Sequence, residues 1–361
     1  MAMSITEIEK NNNHREFFQS IPAEEFAFKE IHYQKKDYIA TITLNRPFNL
    51  NAYSTSALKE LCAAFEDASF DDAVGVIVYT GAGDRAFCTG GDVKEYEEIY
   101  TARPRDYWKY MGLFSRYLES IMNAGKPVIA RLNGIAVGGG NESQLACDLS
   151  VMAEHAYLGQ VGTNVGSVAC GGATQWLPLT VGDRRAHEML LLNGRIQARQ
   201  ALEWGLVNRV APSVTREGKF IENPSKDQID KALKKTDGFE INLSKLDEEV
   251  AALCQTLLEK FPECSRYTKQ HVNFLKSFTW YQTIGHARDW LSTHYTSLEP
   301  LEGMRAFVEK RKPDYMGLRE RARMGRSSEF MHGAYKRDCQ HCSATGIPED
   351  FDYCGKCGKP F

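Results

Sequence analysis

Apolar and polar positions alternate along the chain with two distinct periods. Tyr38–Leu44 (YIATITL) alternates in the strand manner and stops at Asn45-Arg46-Pro47. From Thr55 to Ala68, Leu58, Leu61, Ala64 and Phe65 recur at helical spacing, with Ser54 or Thr55 placed to cap. Val74–Tyr79 (VGVIVY) is a short apolar run of the buried-strand kind, ended by Gly81-Ala82-Gly83. Met111–Ala124 predicts a helix and Pro127–Leu132 another buried strand. Gly138-Gly139-Gly140 then leads into helical spacing over Asn141–Cys147. Strand and helix alternate throughout, so the expected fold class is α/β.

The flanks differ from this core. Residues 1–30 are polar and weakly patterned, an N-terminal extension; the core is expected over 31–250. Within it, about 214–246 turns polar and lysine-rich and is expected to be an insertion or excursion loop. Residues 251–330 return to helical periodicity with many aromatics, among them Phe274, Phe278, Trp280, Tyr281 and Trp290. A cysteine-bearing tail fills 331–361.

Composition narrows the class. The 361 residues suit one large domain with appendages, and 43% hydrophobic with 25% charged is ordinary for a globular chain. A net charge of -3 makes no whole-chain case for nucleic acid or an anionic membrane. No window reaches the roughly eighteen apolar residues of a membrane span. The N-terminus lacks the apolar centre of a signal peptide. Six of the ten cysteines, Cys62, Cys88, Cys147, Cys170, Cys254 and Cys264, are scattered singly, as reduced core thiols are. The expectation is a cytoplasmic protein.

Two glycine turns carry the first chemical signal. Ala86-Phe87-Cys88-Thr89-Gly90-Gly91-Asp92 and Asn133-Gly134-Ile135-Ala136-Val137-Gly138-Gly139-Gly140-Asn141-Glu142 each run from strand through glycines to helix. Such turns let a ligand approach the backbone and present N–H groups where partial positive charge favours an anion. Facing one another, two of them would form an oxyanion hole. Neither is a phosphate loop, because no Lys follows the glycines at the required spacing.

With LNRPFNLNA (44–52), AFCTGGDVKEY (86–96), NGIAVGGGNESQLACDL (133–149), GQVGTNVGSVACGGATQWLP (159–178), NGRIQARQALEWGLVNRV (193–210) and EGMRAFVEKRKPDY (302–315), the chain resembles the crotonase (enoyl-CoA hydratase/isomerase) superfamily over about residues 35–315. The resemblance implies a spiral ββα core, a C-terminal helical oligomerisation region, and trimers paired into hexamers. It also implies an acyl-CoA thioester substrate, no redox cofactor, and an enolate held by the N–H groups of Gly91 and Gly139. Glu142, otherwise a helix-start carboxylate, matches the family's first catalytic glutamate and becomes a general acid/base. Arg46 matches the CoA-phosphate region. Asp92 is placed near the adenine or pantetheine, with helix capping as its other role.

One departure redirects the expected reaction. Family hydratases carry a second glutamate in a GQPE-like segment, which here reads Gly159-Gln160-Val161-Gly162, and no Asp or Glu occurs from His155 to Gly182. GQVGTNVGS resembles the branch that forms and opens rings. A synthase aspartate of that branch would fall at Ala169, so this chain departs from that pattern too. Of its members, it most resembles the ring-opening hydrolases of anaerobic benzoyl-CoA degradation. They add water to a cyclic conjugated oxo-enoyl-CoA and cleave a ring C–C bond, giving 3-hydroxypimeloyl-CoA. Gln160, Thr163, Asn164, Ser167 and Asn141 are polar neighbours that could position water, or ordinary loop and cap residues. Other readings are a ring-forming synthase, a plain hydratase, or an RNA-binding homologue using the tail. Retention of Glu142 and both turns weighs against the last.

The tail stands on spacing alone. Cys339-Gln340-His341-Cys342 and Cys354-Gly355-Lys356-Cys357 are two CxxC pairs, which together supply four thiolates in tetrahedral array. The expectation is a small ribbon with structural Zn(II), no open coordination position, and His341 as a bystander. Arg319, Arg321, Arg323 and Arg326 add local positive charge, but few aromatics accompany it, and no nucleic-acid or membrane partner is expected.

Overall fold

The computed structural model describes residues 20–327 and 329–361. The N-terminal extension as far as residue 19 lies outside them. Two compact units result. The first holds the chain through Asp92, Leu113–Gln160 and Ala169–Ile284; the second holds Val93–Gly112, Val161–Val168 and Gly285–Phe361.

In the first unit, β1 (Ile31–Lys36) and β2 (Ile39–Leu44) form an antiparallel hairpin. β3 (Val76–Gly81) is buried along its length and pairs in parallel with β2. The chain then leaves that sheet: β4 (Ala86–Cys88) belongs to a second one. β5 (Val128–Leu132) returns to the first sheet and β6 (Ile135–Val137) to the second. β7 (Leu149–Ala153) and β8 (Tyr157–Gly159) repeat the move. β9 (Ile196–Gln197) closes the second sheet against β8, and β10 (Arg209–Ala211) extends the first beside β7. The orders are β1-β2-β3-β5-β7-β10 and β4-β6-β8-β9. Each successive pair thus gives one strand to each sheet, a spiral wound from ββ corners.

The corners are fixed by buried amides. Asn51 Nδ2 donates to the carbonyls of Ala82 (3.0 Å) and Ala86 (2.7 Å). Asn133 Nδ2 donates to Gly83 O (2.9 Å) and Ala86 O (3.0 Å), while its Oδ1 accepts from Gly81 N–H. Backbone groups of Gly81, Ala82, Gly83 and Ala86 in the β3–β4 corner are thereby paired with side-chain amides, as buried backbone requires. The helix Thr55–Phe70 covers the sheet with Leu58, Leu61, Ala64 and Phe65, and its cap is Ser54, which accepts from Ala57 N–H at 3.0 Å.

The 214–246 segment is not a loop. β11 (Val214–Arg216), β12 (Lys219–Phe220) and β13 (Phe239–Ile241) form an antiparallel sheet under the helix Lys226–Lys234. Val214, Ala232 and Phe239 make its own small core. Strands of two or three residues are too short to show a period, and the helix presents lysines outward, so the sequence looked uniformly polar.

In the second unit, the loop Val161–Val168 packs on the helix Leu298–Val308, where a side chain at Gly303 would strike the Val165 carbonyl at 2.3 Å. Five tyrosines cluster in this unit, with Tyr107 stacked on Tyr295 at 3.6 Å. The tail carries β14 (Tyr335–Arg337) and β15 (Ile347–Pro348). Among the described residues, no helix is long and apolar enough to cross a membrane.

Candidate active site

The two glycine turns meet. At Gly90 the backbone takes φ 91°, a conformation that favours glycine. A Cβ at Gly90 would lie 3.0 Å from Gly139 N and 3.3 Å from Val137 O, so the turns pack backbone on backbone. Gly138, with φ 55°, turns the chain into the helix Gly139–Ala146. Gly91 forms a parallel bridge with Tyr53, made by Tyr53 N–H to Gly90 O (2.9 Å) and Asp92 N–H to Tyr53 O (3.0 Å). In that geometry the Gly91 N–H takes no part in the bridge. The Gly139 N–H opens its helix and has no intrahelical acceptor. Gly91 and Gly139 both keep partial exposure.

Glu142 stands in the first turn of this helix, 5% exposed. Burial pushes its carboxyl up to about 7, against the N–H groups of Ala173 and Gly171, which favour the charged form. A carboxyl poised near neutrality can both give and take a proton. Ala173 N–H reaches Oε1 at 3.3 Å. Behind the turn lies a hydroxyl cluster: Tyr117 donates to Tyr79 Oη at 2.7 Å, and Ser143 Oγ donates to Gly140 O at 2.9 Å.

The other expected residues fall as follows. Arg46 donates to the Ala52 carbonyl and pairs with Asp92 at 3.1 Å and Glu30 at 3.4 Å. The two CoA-contact candidates are therefore each other's counter-ions. Asn141 and Gln160 are buried, and Asn141 Nδ2 and Gln160 Oε1 have no hydrogen-bond partner among the described residues. Gln160 Nε2 points to the Gly138 carbonyl at 3.5 Å. Thr163, Asn164 and Ser167 belong to the second unit, where Tyr295 Oη donates to Ser167 Oγ and Tyr315 Oη to the Asn164 carbonyl. Cys170 is buried, and burial pushes its thiol pKa up, away from the thiolate form.

Sequence reasoning missed Tyr53 and Phe114. Their rings stack at 5.5 Å, and Phe114 fills the space a Gly171 side chain would need, 2.1 Å from its Cβ position. Tyr53 follows the LNRPFNLNA segment directly, but nothing local shows where its ring goes.

Cys339, Cys342, Cys354 and Cys357 converge, with Sγ atoms within 4.8 Å of one another. The Cys339–Cys357 and Cys342–Cys354 sulfurs are each 3.7 Å apart. A tetrahedron of about 2.3 Å zinc–sulfur bonds has edges of roughly 3.8 Å. The set can hold a metal ion. His341 is exposed beside it. Of the nearby arginines, Arg319 and Arg321 donate to carbonyls and Arg323 pairs with Glu320.

The first unit thus combines a doubly sheeted ββα spiral, two facing glycine turns and a buried glutamate at a helix start. The enoyl-CoA hydratase/isomerase profile matches residues 34–228, and the chain belongs to that crotonase family. Among its relatives, a 6-oxocyclohex-1-ene-1-carbonyl-CoA hydrolase of Geobacter metallireducens is 37% identical over 78% of this chain and 81% of its own. That of Thauera aromatica is 34% identical over 86% of this chain and 83% of its own. An enoyl-CoA hydratase from Mycobacterium avium subsp. paratuberculosis K-10 superposes with a TM-score of 0.64 at 25% identity, covering 80% of this chain and 98% of that one.

Proposed function

We propose that the protein is a ring-opening acyl-CoA hydrolase acting on 6-oxocyclohex-1-ene-1-carbonyl-CoA. The observation that carries this is a single buried, near-neutral glutamate beside the paired turns, in a chain similar to hydrolases of that name. Water adds to the conjugated double bond and leaves a thioester enolate, whose oxygen accepts from Gly91 and Gly139 N–H. Glu142 takes the proton of the water and returns it to the α-carbon. A second water attacks the ring ketone; the C–C bond then breaks, its electron pair flowing to the same thioester, and protonation gives 3-hydroxypimeloyl-CoA. One hole serves both steps. Removing one donor of such a hole typically costs roughly two to three orders of magnitude in rate.

Asn141 Nδ2 and Gln160 Oε1, a buried donor and a buried acceptor flanking the Gly138–Glu142 turn, suit the holding of water. Arg46 and Asp92 contact the CoA moiety as a pair. The four thiolates bind one structural Zn(II), and the chains assemble as trimers or hexamers. The setting is anaerobic degradation of aromatic acids in the cytoplasm.

Incubation with 6-oxocyclohex-1-ene-1-carbonyl-CoA and mass analysis of the products tests the reaction. A gain of two waters is expected; a gain of one would instead make the protein a hydratase. No turnover of this substrate alongside turnover of a linear enoyl-CoA would overturn the cyclic-substrate reading.

A further inference from the structure

Tyr53 touches both halves of the candidate oxyanion hole. Its backbone brackets Gly91, bonded to Gly90 O on one side and Asp92 N–H on the other. Its side chain crosses to the second turn, where a Cβ on Gly139 would lie 1.8 Å from the phenolic oxygen. The hydroxyl thus occupies the Cβ side of Gly139, the glycine whose N–H is one donor of the proposed hole. Tyr53 is 1% exposed, and Phe114 stacks on its ring at 22°. Phe114 abuts Gly171, whose Cβ position is 3.0 Å from Glu142 Oε2. Hydroxyl, glycine turn, aromatic wall and carboxylate therefore form one contiguous arrangement, all within the first unit.

A phenol at such a place has a use that an aliphatic side chain lacks. It donates more strongly to an oxygen gaining negative charge than to a neutral carbonyl, so its effect grows toward the enolate. We propose that Tyr53 is a further catalytic residue: its hydroxyl donates a third hydrogen bond to the thioester oxygen as the enolate forms, and its proton stays on the phenol throughout. Its backbone meanwhile sets where the Gly91 N–H points. This deepens the proposed function and rests on its thioester enolate, not on the cyclic substrate.

Tyr53→Phe keeps the ring and removes only the donor. Two readouts are needed: the ultraviolet band of enolised acetoacetyl-CoA bound to the protein, and kcat and KM on 6-oxocyclohex-1-ene-1-carbonyl-CoA. The expected result is a weakened enolate band and a kcat lowered by roughly ten- to a hundredfold, with KM within about threefold and an unchanged melting temperature. An enolate band equal to that of the wild type overturns the assignment. So does a wild-type protein with no such band, or a Tyr53→Phe protein that melts early and loses CoA-ester binding, since its role would then be structural. Should the wild type show a Tyr53-dependent band yet leave the cyclic substrate untouched, the residue's role stands and the ring-opening reading falls.

Discussion

The N–H of Ala173 donates to Glu142 Oε1 at 3.3 Å, joining the start of the helix Ala173–Val181 to the helix that opens at the second glycine turn. The carboxylate is thereby aimed by two helix starts at once, while burial makes its charge costly.

Activity should follow that balance. With the Glu142 carboxyl pushed up to about 7, kcat/KM is expected to rise with pH through an inflection near that value, as the basic form accumulates. Glu142→Gln should lower kcat by roughly two to four orders of magnitude and flatten the acid limb of the pH–rate profile, with CoA-ester affinity largely kept.

The same burial has a stability consequence of opposite sense. The folded protein holds the Glu142 proton more tightly than the unfolded chain, whose value lies near 4.5. Stability attributable to this group is full below that pH and is lost as pH rises to about 7. Glu142→Gln should therefore be more stable than the wild type at pH 8, by an amount on the order of 3 kcal/mol at most, and the two should converge at about pH 4 and below. Urea unfolding at the two pH values measures the difference.

At the other end of the Gly139 helix, the Lys276 ammonium donates to the carbonyls of Ala146 (3.1 Å) and Cys147 (3.4 Å) and sits over Trp176. A cation there complements the helix terminus, yet desolvation holds it down to about 8. The unfolded chain binds this proton more tightly, so stability from this group grows as pH climbs from about 8 toward 10.5. Lys276→Met should lack that rise, seen as a shallower pH dependence of unfolding free energy.

Gly140 leaves no room for a side chain. Its Cβ position is 2.0 Å from the Cys88 carbonyl oxygen, backbone that the β4–β6 pairing holds in place. Gly140→Ala should destabilise by about 1–3 kcal/mol or more, as overpacking does, and lower kcat by moving the turns apart. Thermal unfolding and turnover report the two effects.

For the tail, elemental analysis should find one zinc per chain, and Cys354→Ser should abolish it. Limited proteolysis should then cut within 331–361 while the remainder stays intact. A chelator should do the same to the wild type, because four thiolates without a metal have little else to hold so small a core.

The sequence alone determined much of this protein. Local periodicity marked the strands ending at Leu44, Tyr79 and Leu132, the helix capped at Ser54, and both glycine turns, because each signal lies within one element. The place of Glu142 at a helix start was readable locally, but only the family resemblance singled it out as an acid/base candidate. The four tail cysteines were readable because metal chelation demands close spacing. Other features depend on contacts between distant segments, which no local pattern encodes. Only the winding of the ββ spiral brought Gly90 against Gly139 and carried the Tyr53 hydroxyl across to the same glycine. Tertiary packing also made Arg46 and Asp92 each other's counter-ions and built the small sheet from the polar 214–246 stretch. The glycine turns were legible in the sequence because each is local; that the Tyr53 hydroxyl fills the Cβ side of Gly139 was decided by the fold, because it depends on contact between segments far apart in the chain.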